Sequence, residues 1–135
     1  MSKLPPIVMT RLDVQRLDRV LYALEAPLSV LESLESEIVR AKVVDSARVA
    51  ADVVTMNSVV RFRDEVSQRE FILKLVYPDA AGHPGTISVL APVGTALLGM
   101  KVGRSIDWKT ASDKPIRLTV LEILYQPEAN KDFHL

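Results

Sequence analysis

The sequence contains no cysteine, which excludes disulfides, thiol chemistry and every metal site built on cysteine ligands. Histidine is almost absent too: His83 stands in a turn rich in glycine and proline, and His134 stands next to the last residue. We expect neither to act in catalysis. Aromatic residues make up only 5% of the chain, which disfavours an aromatic-lined binding pocket.

No charge of one sign dominates, because 17 Lys and Arg balance 17 Asp and Glu. This balance argues against specific DNA binding and against binding to anionic lipid. No apolar run approaches the roughly 20 residues that span a bilayer, and the proline pair in MSKLPPIVMT interrupts the region where a secretory signal needs an apolar run. We therefore expect a cytoplasmic protein without membrane association, one domain or a small domain with an appendage.

Apolar residues at helical spacing fill the first third of the chain. Thr10, three residues before Asp13, predicts a helix start, and Pro27 predicts a break and the start of a second helix. The pattern predicts two helices of about 15 residues, packed as a short antiparallel hairpin or coiled coil with Glu25 and Pro27 at its tip. The tight turn favours a monomer, although the stripe would also suit a contact between chains. The stripe consists of Val14, Leu17, Leu21, Leu24, Leu31, Leu34, Ile38 and Ala41.

Beyond residues 43–52, which are interpreted as a linker, the apolar period changes to two. Alternation predicts strands in VVTMNSVVRFRD, REFILKLVYP, TISVL, SIDWK and IRLTVLEILY. Phe62 and Trp108 fall in the core phase, whereas Arg61 and Arg63 take the other face. In the last strand the phase changes after Val120, which predicts a bulge or a strand buried on both faces. The predicted fold class is α+β with a mainly antiparallel sheet and one short helix.

Three of the five glycines lie in APVGTALLGMKVG. Pro92 predicts the start of the short helix, Gly99 its C-terminal cap and Gly103 a turn. Gly94, inside the helix, predicts close packing. The spacing matches no phosphate-binding loop.

The stretch ISVLAPVGTALLGMKVGRSIDW resembles the carboxyl-terminal domain of the Gre transcript-cleavage factors. The segments VVTMNS, APVGTALLG and YQPEA are still more similar to the regulator of nucleoside diphosphate kinase family, a Gre-related family of similar length. The resemblance covers nearly all of residues 52–129. It implies a helical hairpin over 1–42, a linker over 43–52 and an FKBP-like domain over 53–135 that binds RNA polymerase at the rim of its secondary channel.

The resemblance also indicates which residues contact the polymerase. The Gre factors have serine where this chain has Ala91. Arg61 and Arg63 form a second candidate surface, with ordinary solvated residues as the alternative. The segment that lies against the polymerase in the Gre family corresponds here to Ala91, Pro92, Val93 and Thr95.

Two departures from the Gre pattern predict that the chain does not stimulate transcript cleavage. In the Gre factors, two acidic residues at the hairpin tip help to hold a catalytic magnesium ion. The helices predicted here are about half as long, so their tip falls some 20 Å short at about 1.5 Å per residue. The tip segment LEAPLS offers Glu25 alone.

We therefore expect a non-catalytic regulator that needs no cofactor and competes with Gre-type factors on the polymerase. The alternatives are an interaction module acting on nucleoside diphosphate kinase and an FKBP-like prolyl isomerase. Three glutamates of the second helix are imaginable metal ligands, but a solvated helix face is favoured. Three strand serines lack a histidine to activate them, so a hydrolase is disfavoured. These residues are Glu32, Glu35, Glu37, Ser58, Ser88 and Ser105.

Overall fold

The computed structural model describes residues 6–23, 28–109 and 115–132. Within these residues the chain forms three helices, two sheets and two short 3-10 turns, at Ser46–Arg48 and Pro78–Ala80. None of the described helices is long and apolar enough to cross a bilayer. The elements follow one another as β1 (Val8–Thr10), α1 (Arg11–Ala23), α2 (Leu28–Arg40), β2 (Lys42–Val44), β3 (Val59–Asp64), β4 (Arg69–Val76), β5 (Thr86–Ser88), α3 (Pro92–Leu97), β6 (Ser105–Lys109) and β7 (Pro115–Tyr125).

The first two helices connect two short parallel strands. β1 leads into α1, α2 leads into β2, and the strands pair from Val8 with Lys42 to Thr10 with Val44. The predicted helix start is confirmed, because the Thr10 hydroxyl oxygen accepts a hydrogen bond from the Asp13 N–H at 3.0 Å. Each helix has 13 residues. The strands were not predicted, because three residues are too few to show an alternating pattern.

The second sheet has the strand order β5-β4-β3-β7-β6. All its neighbours pair antiparallel except β4 and β5, which are parallel. Three of the four pairings are thus antiparallel, in agreement with the predicted mainly antiparallel sheet, whereas the parallel edge was not predicted. β4 and β5 pair over only three residues, so residues 77–85 have to span only about 10 Å to return to the start of the paired segment. A connection this short needs no α-helix. Alternation within TISVL carries no information on the direction of the strand.

One face of the larger sheet contributes to the core, and the other is mostly polar, with Ile72 exposed beside Arg61. Val60 and Phe62 of β3 are buried, whereas Arg61 and Arg63 lie on the outer face, as predicted. The buried residues join Leu17 and Leu34 of the helix pair in a single core cluster. The helices therefore pack against the sheet domain from the middle of each helix, as well as against each other.

The predicted irregularity of the last strand is confirmed as two bulges. Glu122 pairs with Arg61 while Val120 pairs with Phe62, so Leu121 is left without a partner on β3. Leu124 is skipped in the same way. Each extra residue changes which face the following side chains occupy, and this explains why the apolar phase changes along β7.

The predicted roles of three glycines are also confirmed. Gly99, just after α3, has φ +78°, and Gly103 has φ +88° in the turn before β6. A Cβ on Gly94 would stand 2.0 Å from the carbonyl oxygen of Ser88. The helix therefore approaches the end of β5 more closely than any side chain allows.

We predict that Gly94→Ala lowers the free energy of unfolding by about 2 kcal/mol or more. The clash with the Ser88 backbone outweighs the gain of about 1 kcal/mol that alanine brings to a helix. Urea denaturation measures the difference. Gly82→Ala is the control, because a Cβ there meets nothing within 4 Å and only φ +97° opposes it, at about 1 kcal/mol. A stabilised Gly94→Ala protein would contradict the packing described.

Candidate partner-binding surface

The loop between β5 and α3 presents an exposed proline on a fixed backbone. Pro92 is exposed, while Ala91 and Val93 on either side are half-buried. The Ala91 N–H donates to the Ser88 carbonyl oxygen at 3.0 Å, and the Leu90 N–H donates to the Ser88 hydroxyl oxygen at 3.1 Å. These hydrogen bonds hold the loop in one conformation in the free protein.

Thr95 lies beneath this loop and not on its surface. Its side chain is buried, and its hydroxyl donates to the Val89 carbonyl oxygen at 2.6 Å, with the Ala91 carbonyl oxygen at 3.2 Å. These contacts tie the first turn of α3 to the preceding loop. The chemistry of Thr95 therefore serves to position Ala91 and Pro92.

Arg61 and Arg63 lie on the outer face of the sheet, in ion pairs. Arg61 contacts Glu70 at 2.7 Å and Glu122 at 3.2 Å, and Arg63 contacts Glu65 at 2.6 Å. The hydrogen bond to Glu70 raises the pKa of Arg61, and the hydrogen bond from Arg63 lowers the pKa of Glu65. These cations are neutralised locally by their neighbours.

The structure does not bring the two arginines together with the Pro92 loop. Ala96 and Leu97 of α3 pack into the core on the buried face of the sheet. Arg61 and Arg63 project from the opposite face. A single flat partner surface would therefore meet one group or the other.

Asp13 connects the helix pair to the sheet domain. Its carboxylate accepts a hydrogen bond from the Met56 N–H at 3.0 Å and lies 3.5 Å from the Tyr77 hydroxyl. The side chain is 2% exposed. Burial raises the pKa of Asp13 from its ordinary value near 3.8 to about 6, and burial, with Asp13 nearby, also raises the pKa of Tyr77. The sequence identified Asp13 only as a capping residue, because nothing in the spacing links it to Met56.

The helix pair carries exposed apolar side chains near its far end. Tyr22 at the end of α1 is 96% exposed, and Leu28 at the start of α2 is 70% exposed. Glu25 and Pro27, the predicted tip, lie outside the described residues. Tyr22 was not identified as a candidate from the sequence. Its position outside the apolar stripe of α1 nevertheless indicates an exposed side chain.

The three glutamates of α2 have different environments. Glu32 and Glu35 are exposed, as expected for a solvated face, but Glu37 is buried and contacts Arg40 at 2.6 Å. The expectation of solvent exposure is wrong for Glu37, because Arg40 one turn later neutralises it. Across the described ranges, no group of three or more histidine, aspartate and glutamate residues is placed to hold a metal ion.

The remaining candidates occupy structural positions. Phe62 is buried and Trp108 packs against the core, as predicted. Ser58 is buried within 3.0 Å of the Thr55 hydroxyl. His83 lies in the turn before β5, where its carbonyl oxygen accepts from Thr86. His134 lies outside the described residues.

Comparison with known proteins defines the relationship of this chain. Residues 49–125 match the family described as "Transcription elongation factor, GreA/GreB, C-term", and residues 5–44 match "Rnk N-terminus". The "Regulator of nucleoside diphosphate kinase" of Escherichia coli (strain K12) is 41% identical over 133 residues, covering 97% of this chain and 98% of the relative. The chain belongs to the regulator of nucleoside diphosphate kinase family. This relationship confirms the resemblance found in the sequence.

The Gre relationship extends to the fold. A solved structure of a "Prokaryotic transcription elongation factor GreA/GreB from Nitrosomonas europaea" matches with a TM-score of 0.70 and 43% identity. The match covers 90% of this chain and 99% of that one. The "Transcription elongation factor GreA" of Rhodospirillum rubrum is 36% identical over 80 residues, which is 58% of this chain and 51% of the relative. This family member therefore has a GreA/GreB-like fold, and its relatives are named as regulators and factors.

We predict that the unfolding free energy of the wild-type protein rises relative to Asp13→Asn as the pH falls from 7 to 4. The folded state holds the Asp13 proton more strongly than the unfolded state, because its pKa is about 6 against 3.8. The expected gain is about 2 kcal/mol.

The measurement is urea denaturation of both proteins at several pH values. Asp18→Asn, which removes an exposed carboxylate from the same helix, is the control and should show no comparable trend. A difference between wild type and Asp13→Asn that stays constant with pH would refute the assignment.

Proposed function

We propose that this chain regulates transcription by binding RNA polymerase near its secondary channel, where it competes with Gre-type factors without stimulating transcript cleavage. One observation carries the proposal: a sheet domain of the GreA/GreB carboxyl-terminal type bears helices of only 13 residues each. The domain supplies the attachment to the polymerase, and the short helices limit what reaches the channel. In this proposal the protein is monomeric, cytoplasmic and without a cofactor.

The length of the helix pair supports a regulator that does not cleave. A helix of 13 residues spans about 20 Å, which leaves its tip well short of the reach expected of a Gre-type arm. The tip segment carries one carboxylate, that of Glu25, where an acidic pair is needed to help hold a magnesium ion. The chain would therefore occupy the entry of the channel without delivering metal ligands to the polymerase.

We assign the main polymerase contact to the Pro92 loop. Ala91, Pro92 and Val93 form an apolar projection on a backbone that hydrogen bonds already fix. A preformed loop loses little conformational entropy on binding. Arg61 and Arg63 are a weaker candidate, since a partner would first have to replace their present carboxylate contacts.

The domain organisation belongs to the same proposal. Residues 1–42 form the arm, residues 43–52 the linker and residues 53–135 an FKBP-like polymerase-binding domain. Pairing of β1 with β2 at the root of the arm and the shared core support a fixed orientation of the arm on the domain. The arm would then point in a direction set by the fold.

An effect on nucleoside diphosphate kinase is the second candidate function. The name of the Escherichia coli relative, a regulator of nucleoside diphosphate kinase, favours it. A prolyl isomerase is disfavoured, because Phe62 is buried and Trp108 packs against the core. The two remaining candidates differ in the protein that this chain contacts, which makes them separable by a binding experiment.

We predict that Pro92→Glu weakens binding to core RNA polymerase at least tenfold. A carboxylate suits the first turn of a helix, so the fold should be kept, while a charge at an apolar contact is costly. Pro84→Glu is the matched control, because Pro84 is also exposed and stands in a different turn. The measurement is a titration against core polymerase, repeated with a Gre factor as competitor.

Loss of binding in Pro92→Glu alone, with displacement by the Gre factor, is the expected result. Equal loss in both variants would remove the Pro92 loop from the interface. Absence of binding by the wild-type protein would overturn the polymerase proposal and favour the kinase. A backtracked transcription complex gives a separate test, since accelerated transcript cleavage would contradict the non-catalytic role.

A further inference from the structure

A cleft with basic residues along its rim lies where the arm joins the sheet domain. Its volume is about 330 Å³, and it is lined by residues of β1 and β2, the 3-10 turn at Ser46–Arg48, residues 49–53 and the stretch after α3. Such a volume lies at the lower end of the range for small-molecule sites. The cleft shares none of its lining with the Pro92 loop or with the pair of Arg61 and Arg63.

The walls of the cleft are joined by backbone hydrogen bonds. The Val8 N–H donates to the Gly99 carbonyl oxygen at 3.1 Å, and the Val102 N–H donates to the Asp52 carbonyl oxygen at 2.8 Å. Val53 also forms a bridge with Lys101. The cleft therefore exists before a ligand arrives, and a ligand inside it would contact both the arm and the domain.

The charge of the cleft contrasts with that of the whole chain. The chain has no net charge, yet the cleft gathers four basic side chains and one carboxylate. Asp52 lies 3.7 Å from Lys101, a distance too long for a strong ion pair. In the described part of the chain, the side chains of Lys42, Arg48 and Arg104 have no carboxylate partner.

This arrangement differs from the outer sheet face, where each of the two arginines already contacts a glutamate. Three cations without partners around one concave surface create a positive potential that an anion can lower. Arginine side chains in particular match the geometry of phosphate oxygens. The rim therefore indicates a ligand that carries at least two negative charges.

The floor of the cleft has different chemistry from the rim. It consists of aliphatic side chains, Val8, Val44, Val49 and Val53, with Pro6 and Ala50 beside them. Among the described residues, the lining includes no serine, threonine, asparagine, glutamine or histidine side chain. A ligand that is polar throughout would place polar groups against these aliphatic side chains, whereas a flat and largely apolar ring would cover them.

We propose that this cleft binds a nucleotide with two or more phosphates, which lie on the rim while the base covers the aliphatic floor. Because the aliphatic side chains that would meet the base carry no hydrogen-bond donor or acceptor, adenine and guanine nucleotides should bind with similar affinity. Since the ligand touches β2 as well as the stretch after α3, its binding would favour the arm in its position on the domain. This proposal does not depend on binding to the polymerase.

The test is a titration of the full chain with ADP and with GDP, followed by calorimetry and by backbone amide shifts. We expect saturable binding of both nucleotides within a few-fold of each other, with shifts centred on Val44, Val49 and Lys101. Adenosine, which lacks phosphate, should not bind measurably. Affinity should fall as salt is raised, because exposed charges are screened.

The variant Arg48→Ala/Arg104→Ala should lower the affinity for ADP at least tenfold. Its matched control is Arg19→Ala/Arg69→Ala, which removes the same charge from exposed positions outside the cleft and should leave the affinity unchanged. Because all four side chains are exposed, the variants should keep the amide spectrum of the folded protein.

Four results would overturn the proposal. The first is absence of saturable ADP binding at millimolar concentration, and the second is equal loss of affinity in the control variant. The third is binding of inorganic pyrophosphate as tight as that of ADP, which would show that the aliphatic floor contributes nothing to the affinity. Tighter binding of a single-stranded oligonucleotide, lost in the cleft variant, would assign the surface to nucleic acid instead.

Discussion

The buried carboxylate of Asp13 is the contact through which the arm and the sheet domain become one structure. It stands in the first turn of α1, yet it accepts its hydrogen bond from Met56, which is 43 residues further along the chain. Without that acceptor, the Met56 N–H would be buried without a partner. The start of α1, the turn before β3 and the Tyr77 hydroxyl therefore meet at one residue, whose backbone N–H donates to Thr10 and whose carboxylate contacts Met56 and Tyr77.

Side chains near this contact are buried in the core, whereas side chains at the far end of the helix pair are exposed to solvent. Leu17 and Leu34, in the middle of α1 and α2, share one core with the sheet, so the helix pair cannot move without opening that core. At the far end, Tyr22 and Leu28 project into solvent. The Pro92 loop follows the same pattern, because its backbone is tied down by hydrogen bonds and its outermost side chain is exposed. Both features suit surfaces made to meet a partner without rearrangement.

Much of this fold could be predicted from local pattern. Helical spacing gave the two helices, and alternation placed Val60 and Phe62 inside and Arg61 outside. The change of phase in β7 predicted bulges that the pairing with β3 confirms. Pro92 and Gly99 marked the ends of α3, because proline has a fixed φ that suits a first helical turn and glycine readily adopts the positive φ that follows a helix.

What could not be predicted depends on contacts distant in sequence. The direction of β5 is set by its pairing with β4, and the two strands at the root of the arm are too short to leave a periodic signal. Burial of Glu37 depends on how α2 packs. The basic cleft combines Lys42, Arg48 and Arg104 from three separate stretches, none of which is unusual alone. The family relationship was visible in the sequence because its motifs are continuous.

The parallel pairing of β1 and β2 has a consequence for how such an arm changes length during evolution. α1 leaves the pair at Thr10 and α2 enters it at Lys42, two residues out of register, so the pairing fixes the two attachment points about 8 Å apart. Residues inserted or deleted in equal numbers near the tip would alter the reach by about 1.5 Å per residue of each helix. They would leave the root, the Asp13 contact and the sheet unchanged. The length of the arm can therefore differ among proteins that keep the same sheet domain.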